Sequence, residues 1–194
     1  MISKVGIIGA GSMGTALAQS ISTRVEEVTL YGRRQEVVDS VNNARYNKNY
    51  FPGLRLNPNI RARLISNSLD LADCEGIIIA IPSSEVRSVV NTICDELADT
   101  ILITVVKGLE YPSLKTMSDI ILEESKNPDI VSFSGPNFAD EIAYGHIAGA
   151  TIGTADASLR ATMSGLFGRF ILDFSGDVRA VELCGVLKNV YAIG

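Results

Sequence analysis

Residues 4–18 read KVGIIGAGSMGTALA, and this stretch decides the fold. Its first part is apolar and typical of a short strand, and SMGTALA has the spacing of a helix. Between the two, Gly9, Gly11 and Gly14 have G-x-G-x-x-G spacing. In that pattern the first glycine allows a tight turn, the second lets a pyrophosphate approach the backbone, and the third lets the helix pack closely on the strand. Because the motif lies directly between a strand and a helix, it predicts a dinucleotide-binding unit.

The rest of the chain alternates between strand-like and helix-like segments. The clearest strand is the apolar run GIIIAIP at 76–82, and the other predicted strands are EVTLYG, TILITVV, DIVSFSG, ATIG and ILDFS. Between them, residues 83–97 predict a helix with serine at its cap, and residues 112–125 a helix with proline in its first turn. This alternation predicts an α/β fold of the Rossmann type, with a doubly wound, mostly parallel sheet. Residues 43–66, rich in Asn, Pro and Arg, predict an excursion between two strands.

The composition of the 194-residue chain argues against several classes of protein. It is 46% hydrophobic and 20% charged, as expected of one globular domain. The net charge of −5 gives no electrostatic footprint for nucleic acid or an anionic membrane surface, and no apolar run is long enough for a membrane span. Cys74, Cys94 and Cys184 form no C-x-x-C pair, and His146 has no Cys or His close by. We therefore predict reduced cysteines in a cytoplasmic protein, and no metal site.

The residues after EVTLYG bear on the choice of cofactor. A protein that binds NAD usually carries Asp or Glu there, for the ribose 2′-hydroxyl. This chain has Arg33 and Arg34 instead. A guanidinium can clamp a 2′-phosphate and stack on adenine, which favours NADP(H) and leaves NAD(H) open. The alternative is a solvated turn, since arginine pairs are common at protein surfaces.

Six segments occur in an order that is specific: GAGSMGTALA, NKNYFPG, AIPSSEVR, VVKGLE, SGPNFADE and VELCGVLKNV. Together they resemble the NAD(P)-dependent glycerol-3-phosphate dehydrogenases. The resemblance implies hydride transfer between sn-glycerol 3-phosphate and dihydroxyacetone phosphate, for glycerophospholipid synthesis. It also implies that residues 1–194 form a Rossmann-type domain followed by an all-helical domain that this sequence does not contain. Residues from about 177 to 194 would be the start of the helix that leads into it.

The resemblance further implies roles for particular residues. Those implied to contact the dinucleotide are Gly9, Gly11, Ser12, Met13, Gly14, Arg33, Arg34, Tyr50, Pro82, Lys107 and Ala139. Gly135 and Asn137 would lie near the phosphorylated substrate. Lys107 would lie between cofactor and substrate, and Lys188 would contact the substrate as proton acceptor. Asn137 stands where the family usually has serine.

The two lysines suit this chemistry. Removing hydride from a secondary alcohol requires a base for the hydroxyl proton, and lysine serves only where burial lowers its pKa. Lys188 lies in an apolar predicted helix, and Gly185 one turn earlier leaves room for a substrate. From the helix alone a snorkelling lysine is the better interpretation, and the family motif reverses it. Lys107 follows TILITVV on the side of the sheet where ligands bind, and would stabilise developing charge on an oxygen.

Two alternatives remain open from the sequence. One is another G-x-G-x-M-G enzyme, such as a β-hydroxyacid dehydrogenase or a pyrroline-carboxylate reductase, and the other is a non-catalytic NADP-binding module. Because the family's helical domain supplies much of the substrate pocket, we expect residues 1–194 alone to bind NADPH but to turn over dihydroxyacetone phosphate poorly or not at all. An apolar terminal helix without that domain would expose a patch that favours association, which leaves a homodimer open.

Overall fold

A computed structural model describes residues 2–65, 71, 73–97, 100–127 and 129–191. Within these ranges the strands are β1 (Lys4–Ile8), β2 (Glu27–Gly32), β3 (Ile60–Leu64), β4 (Gly76–Ile79), β5 (Ile101–Thr104), β6 (Ile130–Ser134), β7 (Ala148–Gly153) and β8 (Phe170–Ser175). The α-helices are α1 (Ser12–Ile21), α2 (Gln35–Asp39), α3 (Ser83–Ile93), α4 (Met117–Ser125), α5 (Ala139–Ala143), α6 (Leu159–Leu166) and α7 (Val178–Tyr191).

The strands form one sheet in the order β3-β2-β1-β4-β5-β6-β7-β8. Neighbouring strands are parallel except for β6 and β7, which are antiparallel. The predicted Rossmann-type, mostly parallel sheet is therefore confirmed. The strand order reverses at β1, since β2 lies on one side of it and β4 on the other. In open α/β sheets ligands bind beyond the carboxyl ends of the strands at such a reversal.

Each central strand is buried on both faces, which explains the continuous apolar runs. In β1, Ile7 packs into the core beneath α1, α5 and α6, and Ile8 packs into the core beneath α3 and α4. In β4, Ile78 joins the first core and Ile79 the second. This alternation of side chains along a strand places one hydrophobic layer on each side of the sheet.

The prediction that residues 43–66 lie outside the sheet was wrong for residues 60–64. Residues 60–64, IRARL, form the edge strand β3, which pairs with β2. Ile60 and Ala62 point into the core, whereas Arg61 is exposed. An edge strand tolerates such charged residues, which hide its period-two pattern in a segment rich in Asn, Pro and Arg.

The start of one predicted helix and the cap of another were also wrong. Helix α4 begins at Met117 rather than near Pro112, because Thr116 and Asp119 form a capping box. Helix α3 has Pro82 at its N-cap, and Ser83 is its first helical residue. The predicted serine cap makes no side-chain capping bond.

Helix α7 packs against β6 and β7. A Cβ at Gly185 would overlap Ser134 Oγ, so the helix lies close to the sheet only because this residue is glycine. The buried carboxylate of Glu182 accepts hydrogen bonds from the backbone N–H and the hydroxyl of Ser118 at the start of α4.

The side of helix α7 that faces away from the sheet is apolar and exposed. It carries Leu183, Leu187, Val190 and Tyr191. Residues 192–194 lie outside the described part of the helix. No described helix is both long and apolar enough to cross a membrane.

Candidate functional site

A cleft of about 480 Å³ opens at the carboxyl ends of β1, β2 and β4. This is the position at which the strand order reverses. Its lining residues are Gly9, Ala10, Gly11, Tyr31, Gly32, Arg33, Arg34, Val37, Tyr50, Ile65, Ala80, Ile81 and Pro82.

The three glycines of the turn serve different purposes. Gly9 has φ 117°, and a Cβ there would overlap the carbonyl oxygen of Ala80. A Cβ at Gly14 would overlap the carbonyl oxygen of Gly9. Both residues must therefore be glycine for the chain to pack on itself. A Cβ at Gly11 would meet nothing within 4 Å, so the turn leaves open space at the N-terminus of α1. This is the space that a pyrophosphate needs in the G-x-G-x-x-G turn, so these residues fit a dinucleotide.

One wall of the cleft joins residues from two separate segments. The Arg34 guanidinium carbon lies 5.8 Å from the centre of the Tyr50 ring, and Arg34 Nη2 donates a hydrogen bond of 3.2 Å to the Tyr50 hydroxyl. Arg33 lies beside them, and its Nη1 is 2.9 Å from Glu85 Oε1 on α3. Arg33, Arg34 and Tyr50 thus line the same cleft, and their contact with a dinucleotide stays a prediction.

A buried asparagine that the sequence did not point to ties this wall to the glycine turn. Asn47 is fully buried. Its Nδ2 donates to the Ala10 carbonyl oxygen at 3.1 Å and to Thr15 Oγ1 at 2.9 Å. The backbone carbonyl oxygen of Asn47 accepts from the backbone N–H groups of Tyr50 and Phe51. Asn47 lies in the segment NKNYFPG, but its role depends on long-range contacts that no local pattern reveals.

A second cavity of about 440 Å³ lies between the carboxyl end of β6 and helix α7. Its lining residues are Ser134, Gly135, Pro136, Thr151, Ser175, Ala180, Val181, Cys184, Gly185 and Lys188. The half-buried Lys188 places its ammonium 4.6 Å from the centre of the Phe138 ring. A cation over an aromatic face is held by the quadrupole of the ring, which fixes Lys188 at the edge of this cavity.

Lys107 lines neither cavity, but its loop contacts residues beside both. Its Nζ donates hydrogen bonds to the Gly135 carbonyl oxygen and to Asn137 Oδ1, both at 3.3 Å. Its stem reaches α7, since Lys107 Cγ is 3.8 Å from where a Cβ of Gly185 would lie. On the other side, Gly108 lies against Ser83, the residue that follows Pro82 of the first cleft. Burial lowers the pKa of Lys107, and the positive charge of Lys188 lowers it further.

The loop that carries Lys107 is anchored by an arginine on α3. Arg87 Nε is 2.6 Å from Glu110 Oε1, and Arg87 Nη2 is 2.9 Å from Glu110 Oε2. Arg87 also pairs with Glu123 and Glu124 of α4. Hydrogen bonds from Arg87 and from Ser113 lower the pKa of Glu110 to about 2. This network joins the segments AIPSSEVR and VVKGLE, which lie apart in the sequence.

Not every predicted residue lines a cavity. Of the predicted dinucleotide contacts, six line the first cleft: Gly9, Gly11, Arg33, Arg34, Tyr50 and Pro82. The others lie outside its lining: Ser12, Met13, Gly14, Lys107 and Ala139. Of the predicted substrate residues, Gly135 and Lys188 line the second cavity. Lys107 and Asn137 do not line it, but Lys107 is hydrogen-bonded to Asn137 and to the Gly135 carbonyl oxygen. Within the part of the chain that the structure describes, no three His, Cys, Asp or Glu side chains are grouped as a metal site.

Comparison with known proteins identifies the family. The model of the NAD-dependent glycerol-3-phosphate dehydrogenase N-terminus matches residues 4–160. Glycerol-3-phosphate dehydrogenase [NAD(P)+] from Methanothermobacter thermautotrophicus is 45% identical over 191 residues, covering 97% of this chain and 59% of the relative. The enzyme of the same name from Pseudomonas aeruginosa is 35% identical over 191 residues, covering 97% and 56%.

A solved structure agrees with these sequences. Glycerol-3-phosphate dehydrogenase from Coxiella burnetii superposes with a TM-score of 0.87 at 26% identity, covering 98% of this chain and 59% of that one. The chain thus spans somewhat more than half the length of these relatives. It belongs to the NAD(P)-dependent glycerol-3-phosphate dehydrogenase family.

Proposed function

We propose that this chain is the cofactor-binding part of an enzyme that interconverts sn-glycerol 3-phosphate and dihydroxyacetone phosphate with NADP(H). The observation that carries the proposal is that the loop of Lys107 contacts Ser83 beside the first cleft and Gly135 of the second cavity. A hydride-transfer enzyme needs its cofactor and substrate sites to be adjacent, and this loop contacts residues beside both cavities. The names of the relatives support the same reaction.

The first cleft is proposed to hold the dinucleotide. When bound, the nicotinamide supplies or accepts the hydride. The open space at Gly11 and the N-terminus of α1 would hold the pyrophosphate. Arg34 and Tyr50 offer a flat wall for the adenine, and Arg33 offers N–H donors to a 2′-phosphate. Since Arg33 and Arg34 rather than an acid directly follow β2, NADP(H) is favoured over NAD(H).

The second cavity is proposed to hold the reacting carbon and oxygen of the substrate. Lys188 would give a proton to the carbonyl oxygen during reduction and take it back during oxidation. Lys107 would stabilise negative charge on the same oxygen, because its ammonium is already fixed by Gly135 and Asn137. Gly185 leaves the space beside Lys188 that a substrate needs.

The rest of the enzyme would complete this site. Residues from about 177 onward are proposed to lead into the family's helical domain, which would cover the apolar outer side of α7. That domain would also hold the phosphate of the substrate. Cys94 and Cys184 form no disulfide bond, which supports a cytoplasmic location.

The proposal is tested by NADPH oxidation with the full-length gene product. Dihydroxyacetone phosphate, a β-keto acid and pyrroline-5-carboxylate would be offered as separate substrates. We expect turnover with dihydroxyacetone phosphate and at least a hundredfold lower kcat/KM with the other two, and loss of turnover in Lys188→Met. Preference for a β-keto acid or for pyrroline-5-carboxylate would replace the proposed substrate. Tight NADPH binding without turnover of any of the three would instead indicate a non-catalytic module.

A further inference from the structure

An ion pair spans the cofactor cleft. Arg33 follows β2 and Glu85 lies in the first turn of α3, after β4. These are the two strands that flank β1, so the 2.9 Å contact between Arg33 Nη1 and Glu85 Oε1 joins the segments on either side of it. The two residues are 52 positions apart in the sequence.

The fold does not depend on this pair. The Arg33 side chain is 66% exposed and that of Glu85 is 31% exposed. Ion pairs of this exposure add little to stability, because water solvates both partners when they separate. The helix dipole also stabilises the Glu85 carboxylate, because Glu85 lies in the first turn of α3. The contact with Arg33 is therefore free to break when a ligand enters the cleft.

We propose that Glu85 sets the choice between the two cofactors by competing with a 2′-phosphate for Arg33. The inference rests on the proposed binding of NADP(H) in this cleft. A 2′-phosphate bound to the Arg33 guanidinium would lie close to the Glu85 carboxylate, and the two like charges would repel. NADPH must therefore displace Glu85 from Arg33. NADH carries a neutral 2′-hydroxyl and does not have to break the pair, so Glu85 reduces the preference for NADPH.

Arg34 is arranged differently and does not share this competition. It contacts Tyr50 through a hydrogen bond of 3.2 Å and through the face of the ring. Neither contact involves a carboxylate, so neither brings a negative charge to Arg34. The effect of Glu85 is thus directed at Arg33.

The test compares wild type with Glu85→Gln. Glu36→Gln is the matched control, because Glu36 lies in the first turn of α2 and its carboxylate bonds to Asn49 rather than to Arg33. Dissociation constants for NADPH and NADH would be measured by fluorescence titration at one ionic strength. We expect Glu85→Gln to tighten NADPH binding about five- to tenfold and NADH binding less than twofold. Glu36→Gln should change both constants by the same small factor.

Two smaller ligands locate the effect. Adenosine 2′,5′-bisphosphate should bind more tightly to Glu85→Gln than to wild type, and adenosine 5′-monophosphate should not. An unchanged ratio of the NADPH and NADH constants would overturn the role of Glu85. A ratio that moves towards NADH would also overturn it and would show that Glu85 holds Arg33 in place for the phosphate. Wild-type protein that binds neither cofactor would overturn this inference together with the cofactor assignment.

Discussion

Lys107 donates a hydrogen bond of 3.3 Å to Asn137 Oδ1. The other end of the same side-chain amide, Asn137 Nδ2, lies 3.5 Å from the Gly149 carbonyl oxygen, and the residue is buried. Asn137 therefore links the loop after β5 to the strand β7. The asparagine supplies both an acceptor for the ammonium and a donor to the sheet.

Replacing Asn137 should slow the reaction without removing the cofactor site. Asn137→Ala leaves Lys107 with the Gly135 carbonyl as its remaining acceptor, so the ammonium is less well fixed. We expect kcat for NADPH oxidation with dihydroxyacetone phosphate to fall about tenfold in the full-length enzyme, with an unchanged dissociation constant for NADPH. Asn137→Ser is the control and should keep more activity than alanine. Equal kcat in all three proteins would show that this hydrogen bond has no part in catalysis.

Lys107 should lower the stability of the folded protein at neutral pH. Burial and the nearby charge of Lys188 lower its pKa below the ordinary 10.5, so the unfolded chain holds this proton more firmly than the folded chain does. The cost is fully present at pH values below the lowered pKa, and it disappears as the pH rises from there to about 10.5. Lys107→Met should therefore unfold at a higher temperature than wild type at pH 7.

The pH dependence of that difference distinguishes electrostatics from simple packing. Thermal midpoints of both proteins would be measured between pH 7 and pH 10, and the advantage of Lys107→Met should shrink as the pH rises. The variant should also lose turnover, because stability and catalysis place opposite demands on this residue. A constant advantage at every pH would contradict the proposed cost of the charge.

The parts of the fold that follow from local patterns were predictable. The continuous apolar runs of β1, β4 and β5 show that these strands are covered on both faces, and the glycine turn shows where the first helix begins. The edge strand β3 was missed because its exposed arginines resemble those of a loop. Helix α4 begins later than expected because Thr116 caps it, a signal that Pro112 obscured.

The site was predictable only in part. Some of the expected residues stand out because each is unusual in its local context. These are the glycines of the turn, Arg33, Arg34 and Lys188. Asn47 and the pair Arg87–Glu110 do not stand out, since polar residues in loops are common. Their importance arises from contacts between segments distant in sequence, and those contacts exist only after the sheet has formed.

Changing Arg33 should alter cofactor preference. Arg33→Asp removes donors for a 2′-phosphate and introduces an acceptor for a 2′-hydroxyl. We expect the dissociation constant for NADPH to rise about 10- to 100-fold and that for NADH to fall or stay constant. Arg34→Ala is the comparison and should weaken both cofactors, because Arg34 and Tyr50 would contact the part that they share. An unchanged ratio in Arg33→Asp would remove Arg33 from the proposed site.

Asn47 should matter to binding as well as to stability. Asn47→Ala removes two buried hydrogen bonds, one to the glycine turn, and should lower the free energy of unfolding by about 1–3 kcal/mol. It should also weaken NADPH binding, because the Tyr50 segment is no longer tied to that turn. Asn42→Ala is the matched control, since Asn42 makes two hydrogen bonds of 2.8 Å with the backbone of Ala62 on β3. The control should lose stability and keep its NADPH affinity; equal affinities in the two variants would contradict the link.

The glycine turn allows folding and binding to be separated. Gly14→Ala forces a methyl group onto the carbonyl oxygen of Gly9 and should destabilise the protein by more than about 3 kcal/mol. Gly11→Ala meets no protein atom within 4 Å, and Gly11 has φ −85°, which alanine adopts without strain. This variant should fold as well as wild type.

The most direct measurement is therefore the dissociation constant of NADPH for wild type and Gly11→Ala, taken beside their thermal midpoints. If the space at Gly11 holds the pyrophosphate, a methyl group there should raise the constant more than about tenfold while the midpoint moves by less than about 2 °C. Equal NADPH affinity in two equally stable proteins would show that the dinucleotide does not bind at this turn, and the proposed function would fail with it.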